Sequence, residues 1–292
     1  MSLHDPLHSL TDAELDYLSQ HMDILSPEEA SAIETLVDEL EKRRAAQACR
    51  DDLIEFCKRM QPDYIVGKHH RMLADELMAI ASGDKDRICV NMPPRHGKSQ
   101  LVSTYYPAWF LGKYPSKQVL LVSHTSDLAV DFGRKVRNII DSDTYKTIFP
   151  TVSLAADSKS AGRWNTNSGG IFYATGVGSA LAGRGADLLL VDDPHNEQDI
   201  LNGNYEIFAR AYEWFAYGAR TRLMPGGRVA IVHTRWHQDD LTGRLVRDMT
   251  QNEGSDQYEI VEFPAIFNEN TPNERPLWPE FFDLAEIGRA HV

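Results

Sequence analysis

Residues 88–99 read Ile-Cys-Val-Asn-Met-Pro-Pro-Arg-His-Gly-Lys-Ser. The first five are mostly apolar and predict a buried β-strand, and the stretch from Lys98 to Leu111 has the composition and spacing of a helix. A strand that passes through a short loop into a helix is the setting of a phosphate-binding loop, because backbone N–H groups and the helix N-terminus together bind anionic oxygens. The stretch therefore predicts an α/β fold built around a phosphate site.

The residues of this loop have expected roles in binding ATP and Mg²⁺. Lys98 is expected to reach the β- and γ-phosphates, and the Ser99 hydroxyl to bind Mg²⁺. The common pattern begins with Gly, whereas Met92 stands at that place, so a strand-to-helix turn that contains Gly-Lys-Ser by chance is the alternative. Upstream, His69 and His70 either line an adenine pocket or are partly buried polar groups. The residues predicted to bind the nucleotide are Pro94, Arg95, His96, Gly97, Lys98 and Ser99.

A second apolar run, 188–191, ends in the two acidic residues Asp192 and Asp193. A buried strand with this ending places a carboxylate at the carboxyl edge of a parallel sheet, beside the phosphate-binding loop. We expect Asp192 to hold Mg²⁺ through water and Asp193 to orient the water that attacks the γ-phosphate. Because Asp reaches less far than Glu, Glu197 is a second candidate for that role. The alternative is that the two acids merely cap a strand.

A third apolar run, 228–232, predicts a strand that ends in the polar residues 233–240. Thr234 is expected to sense the γ-phosphate, because its hydroxyl can hydrogen-bond a phosphate oxygen or water at the strand end. In a rival interpretation, side chains of this segment bind a metal ion. The ligands would then be His233, His237, Asp239 and Asp240.

Two arginines are candidates for neutralising the charge that develops during phosphoryl transfer. Arg95 lies inside the phosphate-binding loop and is expected to act on its own subunit's nucleotide. Arg184 lies between Gly183 and Gly185, which allow the backbone open conformations that expose the side chain. It is expected to act on a neighbouring subunit's nucleotide or to contact DNA, and a plain surface role is the alternative.

Strands and helices alternate along the chain from residue 87 onward, which predicts a mainly parallel central sheet with helices on both faces. The residues before it predict helices, with capping boxes at Thr11-x-x-Glu14 and Ser26-x-x-Glu29. A single long helix is predicted over 205–222. These patterns divide the chain into a helical N-terminal extension (1–60), a nucleotide-binding domain (61–270) and a terminal segment (271–292).

The net charge of −13 is unfavourable for binding DNA phosphates. The first 50 residues contribute −7 of it, since they hold eleven acidic and four basic residues. The rest is closer to balance and has basic clusters at 134–137 and 220–228, which suffice for a local DNA contact. No apolar run approaches the roughly 18 residues that a membrane span requires, so no membrane association is expected.

Together, these motifs resemble the large terminase subunits of tailed phages and prophages. The resemblance lies in the loop 93–99, in the run 183–187 leading to Asp192-Asp193-Pro194, and in 234–237 with 239–241. It covers residues 65–279 and implies a RecA/ASCE-type P-loop NTPase fold with an additional strand. The implied activity is Mg²⁺-dependent ATP hydrolysis coupled to translocation of double-stranded DNA. Asp193 departs from the family pattern, because many terminases have Glu there.

The resemblance also implies partners and a location. Large terminase subunits work as a homo-oligomeric ring at the portal of an empty procapsid in the host bacterial cytoplasm, so the implied partners are DNA, the portal protein and the small terminase subunit. Two other functions remain as alternatives: a nucleic-acid-dependent P-loop ATPase of the helicase type, and a nucleotide-binding scaffold.

The end of the chain carries a further expectation. Large terminases continue into a nuclease domain, and 271–292 is expected to be the start of a linker to a nuclease domain that is missing here. The final residues, 287–292, back-translate readily into a sequence that resembles a sequencing adapter, so we expect a truncated reading frame. DNA cleavage is therefore expected only of a longer relative.

Overall fold

The computed structural model describes residues 11–21, 25–158 and 160–290, without the side chains of residues 199 and 288–290. Its centre is a seven-stranded sheet in the order β3-β4-β2-β5-β6-β1-β7. All neighbouring strands are parallel except β3 and β4. The strands are β1 (Arg87–Asn91), β2 (Gln118–Ser123), β3 (Arg163–Asn165), β4 (Ile171–Gly176), β5 (Ala186–Asp192), β6 (Leu223–His233) and β7 (Glu259–Glu262).

The strand order confirms the predicted fold class. β6 lies between β1, which leads into the phosphate-binding loop, and β5, which ends in the two acids. This inserted strand is the feature that the expected RecA/ASCE-type P-loop NTPase fold requires. The short antiparallel β3 was not predicted from the sequence, since three residues carry no readable alternation.

Helices begin where the sequence has caps. Helix α1 (Asp12–Ser19) and helix α2 (Pro27–Asp51) both start at the predicted capping boxes, with Thr11 and Ser26 accepting from the backbone N–H of the residue three positions on. They pack against each other through a small apolar cluster of their own, which contains Leu15, Ile33 and Leu40. The N-terminal helical segment is confirmed for the described residues; residues 1–10 and 22–24 of the expected extension lie outside them.

Helix α3 (Leu53–Met60) and helix α4 (Lys68–Ser82) belong to the main core rather than to the N-terminal pair. Phe56 and Cys57 lie in the same apolar cluster as Ile88 and Val90 of the sheet. At the other end of the chain, Leu277 is part of this cluster too. Residues on both sides of the expected divisions at 60 and 270 therefore pack in one core, and the division into domains stays a prediction.

The remaining helices cover both faces of the sheet. After the phosphate-binding loop come helix α5 (Lys98–Gln100), a π-helical turn (Leu101–Tyr105) and helix α6 (Tyr106–Lys113). The predicted long helix at 205–222 is confirmed as one uninterrupted helical stretch, which changes type from helix α10 (Glu206–Glu213) to a π-helical turn (Trp214–Ala219) and a 3₁₀ turn (Arg220–Arg222). The others are α7 (Ser126–Asp141), α8 (Asp143–Ile148), α9 (Glu197–Leu201), α10 (Glu206–Glu213), α11 (Leu241–Gln251), α12 (Leu284–Ala290) and a small hairpin, β8 (Ile266–Phe267) with β9 (Arg275–Pro276).

Strand β5 shows how the sheet separates two cores. Leu188 and Leu190 lie in the cluster with α3, α4, α6 and α7, whereas Leu189 and Val191 lie in the cluster with α11 and the π-helical turn after α10. Successive side chains of a strand point to opposite faces, so a continuous apolar run is needed when both faces are covered. No helix of the described residues has the length and apolar character to cross a bilayer.

Candidate nucleotide site

Three adjacent parallel strands end at one edge of the sheet and bring the three predicted motifs together. β1 leads into the phosphate-binding loop, β5 ends at Asp192, and β6 ends one residue before Thr234. The loop turns sharply here, with positive φ angles of 61° at Arg95 and 78° at Gly97. The carboxyl ends of parallel strands are where open α/β sheets bind their ligands.

Asp192 is the buried centre of the site. Its side chain is 1% exposed and accepts a hydrogen bond at Oδ1 from the Ser99 hydroxyl at 3.1 Å. The Ser103 hydroxyl donates to the other oxygen, Oδ2, at 2.6 Å. Burial is the main cause that raises the pKa of Asp192, and the neighbouring Asp193 raises it further. A cation nearby would stabilise this carboxylate, so the site has the electrostatics of a metal-binding position.

Ser103 was not among the predicted site residues. It stands four positions after Ser99, so both side chains project from one face of the helical segment. The π-helical turn at 101–105 contains Ser103, and such turns are frequent at functional sites. The spacing of the two serines could have predicted that they share a helix face. The strand register that brings Asp192 opposite them could not be predicted from the sequence.

Asp193 links the other two motifs. Its Oδ2 lies 2.8 Å from the Lys98 ammonium, and its Oδ1 accepts a hydrogen bond from the backbone N–H of Thr234 at 2.9 Å. The Thr234 hydroxyl in turn donates to the carbonyl of Met92 at 3.3 Å. Asp193 itself has a positive φ of 43°, a conformation that costs free energy for a non-glycine residue. The end of β5, the loop and the end of β6 are thereby connected through direct contacts.

His69 and His70 contact the phosphate-binding loop directly. Their Nε2 atoms lie 3.1 Å and 3.0 Å from the carbonyl oxygen of His96. Both rings are buried, and burial lowers the pKa of His69 to about 4 and that of His70 to about 3. These contacts fit buried polar groups and not the lining of an adenine pocket. They fix the phosphate-binding loop at the His96 carbonyl.

The remaining candidates lie further from this cluster. Arg95 is in the loop and exposed. Arg184 precedes β5, at the opposite end of that strand from Asp192, and its guanidinium lies 4.4 Å from the centre of the Tyr173 ring. Glu197 is the exposed first residue of α9. Their predicted roles in hydrolysis stay predictions.

The rival metal site at 233–240 does not form. Among the described residues, no cluster of three or more His, Cys, Asp or Glu side chains has the geometry to hold a metal ion. Asp240 instead caps α11 by accepting from Gly243 N–H at 3.0 Å and pairs with Arg235 at 2.8 Å. The Nε2 atom of His233 lies 2.5 Å from the Thr242 hydroxyl. These side chains therefore serve the turn and the helix that follows it.

The residues at the edge fit a magnesium–nucleotide ligand by their chemistry. The hydroxyl of Ser99 and the carboxylate of Asp192 are oxygen donors, which Mg²⁺ prefers, and they already lie within 3.1 Å of each other. A Cβ atom at Gly97 would lie 2.2 Å from His70 Nε2, so only glycine fits at this turn of the loop. Lys98, which is 5% exposed, places one cation between the loop and the acids.

Comparison with known proteins agrees with the resemblance read from the motifs. The family model for the terminase large subunit, T4likevirus-type, N-terminal, matches residues 89–288. No curated protein matches the chain. Among solved structures, the ATPase domain of the large terminase of Thermus phage P74-26, in a mutant form, is similar at 16% sequence identity and a TM-score of 0.47. That alignment covers 74% of this chain and 87% of that one. The family match spans more than half of the sequence and includes all three motifs, and the chain thus belongs to the T4likevirus-type family of terminase large subunits, matching its N-terminal part.

Proposed function

We propose that this chain is the ATP-hydrolysing motor of a viral DNA-packaging machine and that it translocates double-stranded DNA into a procapsid. The observation that carries the proposal is the meeting of Lys98 and Ser99 with Asp193 and Asp192 across more than 90 positions of sequence, at 2.8 Å and 3.1 Å. Phosphoryl transfer needs little covalent chemistry from the protein. It depends on placing cations and a water-orienting group around the γ-phosphate, and these residues supply that set.

The contacts support one proposed role for each residue. Ser99 and Asp192 would hold Mg²⁺, which offsets the negative charge of the phosphates. Lys98 pairs with Asp193 in this structure. When ATP binds, the Lys98 ammonium moves to the phosphates, because the triphosphate carries more negative charge than one carboxylate. This exchange releases Asp193 Oδ2 to accept a hydrogen bond from the attacking water. The Thr234 N–H keeps its hydrogen bond to Asp193 Oδ1. A movement of Asp193 when the γ-phosphate leaves is therefore passed on to the end of β6.

A groove beside Ser99 offers space for the rest of the nucleotide. It has a volume of about 630 Å³ and is lined by Gln100, Tyr105 and Lys135, among others. The side chains of Gln100 and Tyr105 both donate to the Gln61 amide oxygen at 2.7 Å. The groove has room for a nucleoside, whereas the rings of His69 and His70 are buried against the His96 carbonyl. We therefore propose that the nucleoside binds in this groove and not beside the two histidines.

Membership of the family supports a proposal for the wider assembly. We propose that the chain acts at the procapsid portal in the bacterial host, as a homo-oligomeric ring that contacts the portal protein and the small terminase subunit. In such a ring, Arg95 acts on the nucleotide of its own subunit and Arg184 on that of a neighbour. For Arg184 this requires leaving the Tyr173 ring, on which it now stacks.

The test is DNA-stimulated ATP turnover of the wild type beside Lys98→Ala and Asp192→Ala. We expect each substitution to lower kcat by at least about a hundredfold, since each removes a charge placed at the reacting phosphate. Lys146→Ala is the matched control, because Lys146 is an exposed lysine that pairs only weakly with Asp141 and Asp143, at 3.7 Å and 3.9 Å. It should turn over ATP at the wild-type rate.

Three results would contradict the proposal. Unchanged turnover in Lys98→Ala would show that the loop is not the catalytic site. ATP binding by the wild type with no turnover, with or without DNA, would favour the scaffold instead. Strand separation of a duplex in the absence of a procapsid would favour the helicase-type alternative.

A further inference from the structure

The phosphate-binding loop is held from outside by the first turn of α4. The His96 carbonyl oxygen lies 3.1 Å from His69 Nε2 and 3.0 Å from His70 Nε2. The two imidazole rings are adjacent, with centroids 4.0 Å apart, and converge on this single acceptor. A carbonyl oxygen has two lone pairs and can accept from both nitrogens at once.

The surroundings determine which ring nitrogen of His70 carries its proton. The backbone N–H of Gly67 donates to His70 Nδ1 at 3.0 Å. Nδ1 must therefore be an acceptor, and in a neutral ring the proton lies on Nε2, which faces the His96 carbonyl. His69 faces the same carbonyl through Nε2, so that nitrogen is a donor as well.

The direction of this carbonyl fixes the direction of the next N–H. A trans peptide unit is planar, with its C=O and N–H pointing in opposite directions, and the described residues contain no cis peptide bond. Because the His96 carbonyl points toward α4, the N–H of Gly97 points away from α4. We take that side as the one that a bound phosphate group occupies, next to Lys98, which begins the following helix.

Without the two histidines, little else would impose this orientation. Gly97 has a positive φ of 78°, and glycine adopts either sign of φ at low cost, so the His96–Gly97 peptide unit can flip when its carbonyl has no partner. The next peptide unit is held separately, because the Gly97 carbonyl accepts from the Leu101 N–H at 3.1 Å. Arg95, at a φ of 61°, adds a strained residue to the same short loop. The site where phosphate loops commonly begin with Gly holds Met92, so this loop also departs from the usual pattern at its start.

We propose that His69 and His70 are positioning residues that orient the His96–Gly97 peptide, so that the Gly97 N–H is held ready to donate to a β-phosphate oxygen. The inference rests on the proposed function, because it assumes that the loop binds a nucleotide. It assigns to the tandem histidines a role in binding the polyphosphate and none in binding the base.

Trp278 completes the arrangement. Its ring packs nearly perpendicular to those of His69 and His70, at centroid distances of 5.5 Å and 4.7 Å. The Trp278 side chain is itself buried. An indole at this place excludes water that would otherwise compete for the His96 carbonyl. Both hydrogen bonds therefore form in a dry environment, where they are stronger than at the surface.

The test separates the donor function from simple packing. His69→Leu/His70→Leu removes both donors, whereas His69→Gln/His70→Gln keeps a terminal N–H₂ in place of each Nε2–H. The probes are ADP, inorganic pyrophosphate and adenosine, measured by calorimetry with Mg²⁺ present. We expect the double Leu variant to bind ADP and pyrophosphate about tenfold to a hundredfold more weakly, as befits the loss of oriented donors to a charged group. Adenosine binding should change less than about threefold.

The controls make each outcome decisive. The Gln pair should recover most of the polyphosphate affinity, and Met78→Leu, on the same helix, should leave it unchanged. If the double Leu variant does not fold, the single Leu variants decide, each with a loss of about threefold to tenfold. Wild-type affinity for pyrophosphate in folded Leu variants, or an equal loss for adenosine, would overturn the inference. Failure of the wild type to bind ADP or pyrophosphate would instead overturn the proposed function.

Discussion

At the scale of single residues, Asp193 is placed where it could take the proposed water-orienting role. Its two carboxylate oxygens contact Lys98 and the Thr234 backbone, so it is tied to both the loop and the end of β6. Glu197, the second candidate, is exposed on α9. Asp193 has a positive φ of 43°, so the backbone turns sharply where β5 ends.

Substitution of the two acids distinguishes these candidates. Asp193→Asn keeps an oxygen for the Thr234 N–H but removes the charge that attracts the proton of the water. We expect kcat to fall at least about a hundredfold while ATP still binds, and Glu197→Gln to stay within about threefold of the wild type. The measurement is steady-state ATP hydrolysis together with nucleotide affinity. A large loss in Glu197→Gln with an active Asp193→Asn would reverse the assignment.

Ser103 provides a second residue-scale prediction. Its hydroxyl lies 2.6 Å from Asp192 Oδ2, on the oxygen that Ser99 does not contact. Ser103→Ala leaves that oxygen buried without this donor, so we expect a weaker apparent affinity for Mg²⁺, by about threefold to tenfold. Ser103→Thr keeps the hydroxyl and should restore it. The readout is Mg²⁺-dependent stabilisation of the ADP complex against heat, and equal Mg²⁺ dependence in Ala and wild type would contradict the prediction.

At the scale of elements, the turn between β6 and α11 is organised by one buried acid. The Asp240 side chain is fully buried. One oxygen caps α11 through Gly243, and the other accepts from Arg235 and from the backbone N–H of Trp236. This turn follows directly after Thr234, so its stability determines how firmly the end of β6 is held.

Removing this carboxylate should be costly. We expect Asp240→Ala to lower the free energy of unfolding by about 2 to 4 kcal/mol, because it removes a helix cap and leaves Arg235 without its buried partner. Asp240→Asn can still cap and should cost less. The adjacent Asp239 is the matched control, since its pair with Arg247 is partly exposed and Asp239→Ala should cost much less than Asp240→Ala. Urea unfolding measures all three, and equal losses at the two positions would contradict this account.

At the scale of the whole molecule, several histidines are buried in the neutral form. Burial lowers the pKa of His69 to about 4, and lowers those of His70 and His195 to about 3. The pKa of His233 is lowered as well, with burial as the main cause. The unfolded chain binds protons at these positions near the ordinary value of 6.5, so below that pH it takes up more protons than the folded protein. Acid therefore favours unfolding through these groups.

We expect the free energy of unfolding to fall as the pH drops from about 6.5 toward about 4. The raised pKa of Asp192 acts in the opposite direction and offsets part of this loss. The measurement is urea unfolding at about pH 7.5 and about pH 5 without nucleotide or Mg²⁺. His70→Gln carries no titrating ring and should show a smaller loss on acidification than the wild type. Equal or greater wild-type stability at the lower pH would refute the expectation.

Local patterns predicted most of the elements and the fold class. The capping boxes at Thr11 and Ser26, the strand-loop-helix run at 88–99 and the apolar run that ends in Asp192 are each encoded within about a dozen neighbouring residues. Periodicity, turn chemistry and strand endings act over such short distances, so one sequence suffices to read them. Together with the resemblance that the motifs carry, they also predicted that Lys98, Ser99, Asp192 and Asp193 would meet.

Only the tertiary structure decided the contacts that complete the site. Ser103 reaches Asp192 through a π-helical turn, and the tandem histidines reach a carbonyl 26 and 27 positions away. The long helix predicted at 205–222 contains a second π-helical turn, which no local sequence pattern predicted. Such contacts depend on strand order, register and the way one helix packs against another element. Those relations are set by the packing of the whole core, and many local sequences are compatible with each of them.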